Sequence, residues 1–361
     1  MALSSQIPIE EFKYHFDESL LPPKVESQGK KWDLTKIKER HEYFKHKLGK
    51  KLPKLQQIFS EQTFIVYMLA PKLAGKGTYL SILRELVGNT FYQLSVGDLV
   101  REFQKEYPKN PEKYAGLREL YRGFVSFEDA VEAMLDPSIT NVKSTEFVLA
   151  LIKLKIQQIG RKIIFLDGFP RTEDQIMYSL FMRDLMAFRD DPDFFMMINI
   201  PITIIDMRIR YRRVCPKCGS SRNIKLLPTD QLAWDKEKNE VILLCDTPEC
   251  NRQPMVPKPG DEVGVQALLP RLKRDFKLLE IARTLHGVDR IELFNAIPVD
   301  VAPKYYEPYE LTPIYDYEYK NGKVIVKTSP WVVEEAGNKY YSLLPAPALL
   351  QFVDQFLKLF A

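Results

Sequence analysis

Three short apolar runs, rich in β-branched and aromatic residues, occupy residues 63–69, 162–166 and 194–200, and residues 290–294 are the candidate for the last core strand. Runs of this length without polar alternation are typical of strands that are buried on both faces of a sheet. Segments with helical spacing separate them, and this alternation predicts a doubly wound α/β fold with a parallel sheet and inserted subdomains.

The spacing of apolar positions between these runs predicts the helices. Asp33 is placed to cap a helix whose apolar positions Leu34, Ile37, Phe44 and Leu48 share one face. Further helical patterns begin near residue 78 and cover about 100–160, 204–213, 262–285 and 348–360.

The tail beyond about residue 305 differs from the rest, since it is rich in tyrosine and proline. Asn321 and Gly322 lie between two strand-like segments, and this pair fits a two-residue type I′ turn. We therefore expect a β-hairpin followed by the last helix. Neither this tail nor the N-terminal arm suggests a role beyond packing.

Composition places few limits on function. The chain has 361 residues, a net charge of +4, and hydrophobic and charged fractions of 45% and 28%, which are ordinary for a globular protein. No apolar run approaches the roughly 18 residues of a membrane span, and the N-terminus lacks the features of a secretory signal. We expect a cytoplasmic protein, a monomer, with no membrane or nucleic-acid partner.

A turn bearing glycine and lysine follows the first predicted strand and precedes a predicted helix. Its sequence from Ala70 to Thr78 is APKLAGKGT. Backbone N–H groups at such a helix N-terminus bind phosphate oxygens, and Lys76 would add a positive charge. The turn departs from the strict phosphate-loop pattern at Ala70, which replaces the first glycine, and at Gly77, where Ser or Thr is usual. An ordinary glycine-rich turn is the alternative interpretation.

The second predicted strand runs directly into the hexapeptide DGFPRT, residues 167–172. Ligands of open α/β sheets bind at the carboxyl ends of the strands. At that position Asp167 can hold a metal ion through water, and Arg171 can form paired hydrogen bonds to phosphate oxygens. An ordinary exposed turn is the alternative.

All four cysteines fall in one short window. Cys215 and Cys218 form a CxxC pair, and Cys245 and Cys250 form a second pair with a wider gap. Two pairs of thiolates are typical of a structural, tetrahedral Zn²⁺ site, in which four protein ligands leave no open position for catalysis. Two disulfides or four unrelated thiols are the alternatives. A redox CxxC is disfavoured because no redox fold surrounds it.

Taken in order, these segments resemble the adenylate kinases, a family of nucleoside-monophosphate (NMP) kinases. The family's phosphate loop ends in GKGT, as residues 75–78 do, and its DGFPRT hexapeptide is matched in full. Residues 94–101 resemble its monophosphate-binding STGDxxR segment, and residues 206–213 resemble the DRxxxRR segment that enters its lid. Gln175 matches a family glutamine that binds the adenine edge. The resemblance covers about residues 61–300, and the cysteines indicate the type with a structural zinc in the lid.

The resemblance implies a role for each matched residue. The loop would hold the donor phosphates, Thr78 and Asp167 would hold Mg²⁺, and arginines would surround the transferring group. The implied catalytic residues are Lys76, Arg101, Asp167, Arg171, Arg208, Arg212 and Arg271. The implied ATP-binding residues are Ala74, Gly75, Lys76, Gly77, Thr78 and Arg208. The residues implied to bind AMP are Ser95, Val96, Arg101, Gly168, Arg171 and Gln175.

Several positions depart from the family pattern. Ala70 replaces a glycine, Leu73 stands where a small residue or proline is usual, and Val96 stands where Thr or Ser contacts the base region. Lys258 takes the place of an arginine that precedes an acidic pair on leaving the lid. Pro270 is expected to kink or start the helix that carries the last implied arginine. The choice of acceptor nucleotide therefore stays open.

The expected organisation has three parts. Residues 1–60 form an N-terminal helical extension, 61–305 an adenylate-kinase-like core, and 306–361 a C-terminal extension with a β-hairpin and a helix. The core carries an NMP-binding insertion at 95–160 and a zinc lid at 208–262. The expected reaction is Mg²⁺-dependent transfer from ATP to AMP, giving two ADP. The alternatives are a catalytically weakened nucleotide-binding sensor or scaffold, and a kinase that uses UMP or CMP as acceptor or GTP as donor.

Overall fold

The computed structural model describes residues 12–136, 144–177, 185–186 and 188–361. In chain order, its strands are β1 (Ile65–Leu69), β2 (Phe91–Ser95), β3 (Ile163–Asp167), β4 (Asp193–Asn199), β5 (Arg212–Val214), β6 (Ser221–Asn223), β7 (Leu232–Asp235), β8 (Glu240–Leu243), β9 (Val256–Pro257), β10 (Asp289–Phe294), β11 (Ala296–Pro298), β12 (Pro313–Lys320), β13 (Lys323–Pro330), β14 (Val332–Glu335) and β15 (Asn338–Ser342). Its α-helices are α1 (Ile37–Leu48), α2 (Lys51–Glu61), α3 (Lys76–Val87), α4 (Val96–Glu106), α5 (Leu117–Leu120), α6 (Phe127–Leu135), α7 (Thr145–Ile159), α8 (Glu173–Met177), α9 (Ile202–Arg210), α10 (Leu269–Thr284), α11 (Ala302–Tyr305) and α12 (Pro345–Leu359).

A parallel sheet of five strands, in the order β10-β4-β1-β3-β2, forms the centre of the fold. Alternate residues of β1 enter two different cores because side chains alternate across a strand. Val66 and Met68 pack in the core that holds α2, α3 and α12, whereas Tyr67 and Leu69 pack in the core that holds α4, α7 and α10. The predicted doubly wound α/β sheet with helices on both faces is therefore confirmed.

The four predicted strands correspond to β1, β3, β4 and β10, and each observed boundary lies within two residues of its prediction. The fifth strand, β2, was not predicted. It lies at the edge of the sheet, and its exposed residues Tyr92 and Gln93 interrupt the apolar pattern on which the other predictions depended.

The prediction for the first helix was wrong in its start and in one position of its buried face. The helix α1 begins at Ile37, and Asp33 accepts hydrogen bonds from the backbone N and hydroxyl of Thr35 at 3.1 and 2.6 Å instead. The Ile37 side chain is 56% exposed, while Tyr43 and Phe44 are fully buried.

The predicted helical stretch at 100–160 is divided into shorter helices, and part of it, residues 137–143, lies outside the described residues. The helical spacing of this stretch includes Tyr114, Leu117, Leu120 and Phe124. Tyr114 and Leu117 are buried and Leu120 is half-buried, but Phe124 is fully exposed in the loop between α5 and α6. The helix predicted through residue 213 ends at Arg210, since β5 begins two residues later. Pro270 starts α10 within its first turn and does not kink it.

The C-terminal extension is built into the core. Gln351 of α12 accepts a hydrogen bond from the N–H of Phe294 at 2.7 Å, and Gln355 accepts one from the N–H of Glu292 at 3.0 Å. The two glutamines thus cover the free edge of β10, which would otherwise present unpaired backbone groups. The type I′ hairpin is confirmed, since Asn321 and Gly322 connect β12 and β13 with φ of 51° and 77°.

A small sheet in the order β11-β15-β14, which was not predicted, joins this extension to the end of β10. Across the described ranges, every helix is too short or too polar to cross a lipid bilayer.

Candidate active site

Three candidate segments leave neighbouring strands at the same edge of the sheet. The strand β1 continues into residues 70–78, which we call the phosphate loop. The strand β3 ends at Asp167, which lies beside Met68 in one neighbouring strand and Ser95 in the other. Because parallel strands present their carboxyl ends together, the loop, the hexapeptide and the start of α4 converge on one place.

The phosphate loop turns sharply before it enters α3. Gly75 has φ of 99°, a left-handed conformation that favours glycine, and a Cβ added there would lie 3.6 Å from the Tyr79 ring and 3.7 Å from the Arg208 guanidinium. Leu73 also has a positive φ, of 68°. The turn directs the N-terminus of the 12-residue helix α3 at the cavity edge, where its free N–H groups attract anions.

Side chains from three helices brace this loop. Lys76 of α3 donates a hydrogen bond to the carbonyl of Ala70 at 3.1 Å. Arg208 of α9 donates to the carbonyl of Leu73 at 3.0 Å, and Asp275 of α10 accepts from the N–H of Lys72 at 2.9 Å. The loop is therefore held by one contact within it and by two contacts with residues far away in the sequence.

The hexapeptide places a carboxylate and a guanidinium on the other side of the cavity. The Asp167 carboxylate lies 3.5 Å from the Lys76 ammonium. Gly168 has φ of 95°, and a Cβ added there would lie 3.6 Å from the Cβ of Val96. The N–H of Arg171 donates to the side chain of Gln175 at 2.7 Å, which fixes the backbone that carries the guanidinium.

These segments enclose a cavity of about 210 Å³. Its lining contains four cationic and two anionic side chains. They are Lys76, Arg101, Arg171, Arg271, Asp167 and Asp275, with Ser95, Gly97 and Gly168 contributing to the walls.

The electrostatics of the cavity favour an anionic ligand. Burial lowers the pKa of Arg171, and the nearby Arg271 lowers it further. Burial also lowers the pKa of Lys72, followed by the effects of the neighbouring Arg271, Arg212 and Lys258. Cations that repel one another in this way are stabilised when phosphate oxygens enter between them.

Two of the arginines implied by the resemblance do not line the cavity. Arg208 is buried behind the loop, where it contacts the carbonyl of Leu73 and lies 3.2 Å from the side-chain oxygen of Asn295. Arg212 forms two hydrogen bonds with the Asp261 carboxylate, at 2.6 and 2.7 Å. Both guanidinium groups are engaged by protein atoms.

The remaining implied residues lie around the cavity rather than in it. The Gln175 side chain accepts a hydrogen bond from the N–H of Arg171 and donates one to the Thr145 hydroxyl at 3.3 Å. Gly77 and Thr78 are exposed on the first turn of α3, whereas Ala74 and Val96 are buried.

Two polar residues of this region were missed by sequence reasoning. Asp275 lines the cavity, and the only sequence signal for it was its position four residues after Arg271 on one helix face. Asn295 is buried between Arg208 and the Tyr79 hydroxyl, to which its side chain donates at 2.7 Å. It follows the last core strand and belongs to no motif, so no local pattern indicated it.

The four cysteines come together in the segment between α9 and α10. Their sulfur atoms all lie within 4.8 Å of one another, and none of them is disulfide-bonded in the structure. The Sγ atoms of Cys218 and Cys245 are 3.8 Å apart. Tetrahedral zinc with Zn–S bonds of about 2.3 Å requires an S···S separation of about 3.8 Å, so the spacing fits this metal.

Backbone turns preorganise the cysteine cluster. The N–H of Gly219 donates to the carbonyl of Cys215 at 2.9 Å, and φ of 73° at Gly219 closes the first CxxC turn. Cys215, Cys245 and Cys250 are buried and Cys218 is exposed. Hydrogen bonding from Ser220 lowers the pKa of Cys218 to about 6, which favours the thiolate form that binds metals.

No protein-family model matches the chain. Among curated proteins, the chain is 28% identical over 219 residues to the adenylate kinase of Hydrogenobaculum sp., which covers 60% of this chain and 86% of that protein. It is 29% identical over 172 residues to the adenylate kinase of Thermotoga maritima, covering 46% of this chain and 67% of the relative. The adenylate kinase of Clostridium beijerinckii is 28% identical over 179 residues, covering 49% of this chain and 72% of that protein.

These relatives confirm the resemblance to the adenylate kinase family that the ordered motifs indicated. The matches cover at most 60% of the chain in these three comparisons, so much of the chain has no counterpart in them.

Proposed function

We propose that the protein is a nucleoside-monophosphate kinase that transfers a phosphoryl group reversibly from ATP to AMP, giving two ADP. The observation that carries the proposal is the cavity at the carboxyl ends of β1, β2 and β3. There Lys76, Arg171 and Arg271 face one another across a space lined by Asp167. Phosphoryl transfer depends on positioning and on neutralisation of charge on oxygen, and this arrangement supplies both.

In the proposed assignment, Lys76 and the start of α3 hold the donor phosphates. Arg171 and Arg101 hold the acceptor phosphate, and Arg271 neutralises the group in transfer. Arg101 forms an ion pair with Asp98 and is largely exposed, so it is free to turn toward an incoming monophosphate. Arg212 would reach the donor only after leaving Asp261, a change that closure of the lid would provide.

The proposed cofactor is Mg²⁺, which would neutralise and orient the donor phosphates when bound. The residues present fit this ion, because Asp167 offers carboxylate oxygens inside the cavity and Thr78 offers a hydroxyl on the first turn of α3. Asp167 would hold the ion through water.

A structural Zn²⁺ at the cysteine cluster would stiffen the lid. We assign the lid to residues 208–262 and the NMP-binding insertion to residues 95–160, both within the core 61–305.

The test is an acceptor screen with purified protein, ATP and Mg²⁺, in which AMP, UMP, CMP and GMP are compared at equal concentrations. The proposal predicts the highest kcat/KM with AMP. Higher rates with UMP or CMP would show that the preferred acceptor is a pyrimidine monophosphate, and the protein would still be a nucleoside-monophosphate kinase. No turnover with any of them, in protein shown to be folded by circular dichroism, would contradict the proposed function.

A second candidate is a nucleotide-binding sensor or scaffold that has lost most catalysis. It is supported by Leu73, which has a positive φ in the loop, and by Asp275, whose negative charge lies in the cavity. Calorimetry distinguishes the two functions, since a sensor would bind ATP tightly while transferring a phosphoryl group at a negligible rate.

A further inference from the structure

Asp275 is the least expected residue of the cavity. It lies one helical turn after Arg271 on α10, and its side chain is only 12% exposed. One carboxylate oxygen accepts a hydrogen bond from the N–H of Lys72 at 2.9 Å and lies 3.8 Å from the Nε atom of Arg271. It belongs to none of the motifs that carry the family resemblance.

A carboxylate in this place opposes the binding of phosphate. Like charges held close together in a partly buried site repel each other strongly, because the effective dielectric constant there is lower than in water. Burial also raises the pKa of Asp275, although the Lys72 N–H and the charges of Arg271, Lys76 and Arg171 act in the opposite direction. Since its charge does not favour phosphate binding, a role for Asp275 must come from the protein groups that its carboxylate contacts.

One of the carboxylate oxygens holds the loop next to its strained residue. Leu73 has φ of 68°, a left-handed conformation that is strained for a residue with a side chain, and Ala70 replaces the more permissive glycine at the start of the loop. Asp275 fixes the N–H of Lys72, just before Leu73, and Arg208 fixes the carbonyl of Leu73 itself. Side chains from two helices thus clamp the backbone on both sides of the strained residue.

The same carboxylate also lies beside Arg271. Among the residues that the structure describes, the buried Nε atom of Arg271 has no hydrogen-bond partner, since 3.8 Å from Asp275 is too long for one. This leaves the hydrogen-bonding capacity of the Nε atom for another acceptor.

We propose that Asp275 is a positioning residue that holds the phosphate loop in its nucleotide-binding conformation by accepting the hydrogen bond from the Lys72 N–H. The expected effects on kcat and KM rest on the proposed function. The claim that Asp275 holds the loop rests only on its hydrogen bond with the Lys72 N–H.

The test separates the acceptor oxygen of Asp275 from its charge. Asp275→Asn keeps an oxygen that can accept from the Lys72 N–H, whereas Asp275→Ala removes both oxygen and charge. We expect Asp275→Asn to keep kcat within about twofold of the wild type and to lower the KM for ATP, because repulsion is removed. We expect Asp275→Ala to lower kcat about tenfold or more, since small errors in positioning are costly in phosphoryl transfer. Glu280→Ala, on the exposed face of the same helix, is the matched control and should change neither constant.

Loss of kcat to the same extent in Asp275→Asn and Asp275→Ala would overturn the inference, and so would a wild-type kcat in Asp275→Ala. Thermal unfolding of every variant shows whether a loss reflects general destabilisation. If Asp275→Ala fails to fold, Asp275→Ser replaces it, because the serine hydroxyl is too short to reach the Lys72 N–H. Rescue of kcat by Asn but not by Ser is then the expected result.

A second readout does not depend on turnover. Titration of ATP without Mg²⁺ into each variant by calorimetry should show Asp275→Ala binding at least threefold more weakly than Asp275→Asn, as both lack the charge and only one holds the loop. If the wild type binds ATP but transfers nothing, the proposed function fails while this comparison still decides the inference. Equal ATP affinity of the two variants, or no ATP binding by the wild type, would contradict the role of Asp275.

Discussion

The Trp234 ring stacks on the Tyr319 ring, with centroids 5.5 Å apart and planes inclined by 12°. Trp234 belongs to β7 in the segment that carries the cysteines, and Tyr319 belongs to the C-terminal hairpin. The Tyr317 hydroxyl donates to the carbonyl of Ile224 at 2.6 Å, and Lys225 forms an ion pair with Asp316 at 2.6 Å. The hairpin thus ties the proposed lid to the C-terminal extension.

We predict that Trp234 and Tyr319 are energetically coupled. A double-mutant cycle with Trp234→Ala and Tyr319→Ala should give a coupling free energy of about 0.5–1.5 kcal/mol, the usual range for an aromatic pair. The measurement is urea-induced unfolding of the two single variants and the double variant. Effects that add within about 0.3 kcal/mol would show that the stack does not join the hairpin to the lid.

The cysteine cluster is predicted to bind one Zn²⁺ per chain. Elemental analysis of protein purified without chelator should give close to one equivalent, and Cys250→Ser should lose most of it because four ligands are needed for a closed site. Ser221→Ala, at an exposed position of β6, is the control and should retain the metal. Less than about half an equivalent in the wild type would contradict the zinc site, and fewer than four titratable thiols after denaturation would favour disulfides.

Lys76 and Arg171 are predicted to be required for transfer rather than for folding. Lys76→Met should lower kcat by roughly a hundredfold or more, since it removes a charge aimed at the donor phosphates. Arg171→Lys should raise the KM for AMP about tenfold, because lysine cannot form paired hydrogen bonds to phosphate. Arg161→Met, at an exposed position before β3, is the control. Wild-type kinetics in either site variant would remove that residue from the mechanism.

The sheet could be predicted from the sequence because β1, β3 and β4 are buried on both faces and therefore almost entirely apolar. The cavity could be located because three motifs follow adjacent strands. The partners of the arginines could not be predicted, since a motif gives positions along the chain but not the contacts of each side chain. The contacts of Arg208 with Leu73 and of Arg212 with Asp261 were therefore not predicted.

Asp275 was missed for a related reason, since its hydrogen-bond partner Lys72 lies 203 positions away. Local patterns predicted the hairpin and the helix of the C-terminal extension, but not that glutamines of this helix pair with the backbone of β10. Both contacts depend on the tertiary fold and leave no periodic signal in the sequence.

Glu335 is predicted to make stability depend on pH. This buried residue of β14 accepts from the N–H of Thr203 at 3.0 Å, in the first turn of α9, but its other oxygen finds no partner within the described part of the chain. Burial raises the pKa of Glu335 from 4.5 to about 7. Because the folded-state pKa is the higher one, the stabilising contribution is complete below pH 4.5 and is lost as the pH rises through 7.

The free energy of unfolding of the wild type should therefore fall between about pH 5 and pH 8, by up to roughly 3 kcal/mol from this group. Glu335→Gln should show a smaller decrease, as measured by urea unfolding at each pH. Glu334→Gln, the exposed neighbour, is the control and should behave like the wild type. A decrease in Glu335→Gln equal to that of the wild type would exclude Glu335 as its source.

The most direct test of the account is the stoichiometry of products from ATP, AMP and Mg²⁺. Ion-exchange chromatography of timed samples should show two ADP formed for each ATP consumed, with no release of inorganic phosphate, and Asp167→Asn should slow this conversion. Formation of ADP and inorganic phosphate in equal amounts, independent of AMP, or no conversion by folded protein, would contradict phosphoryl transfer between nucleotides.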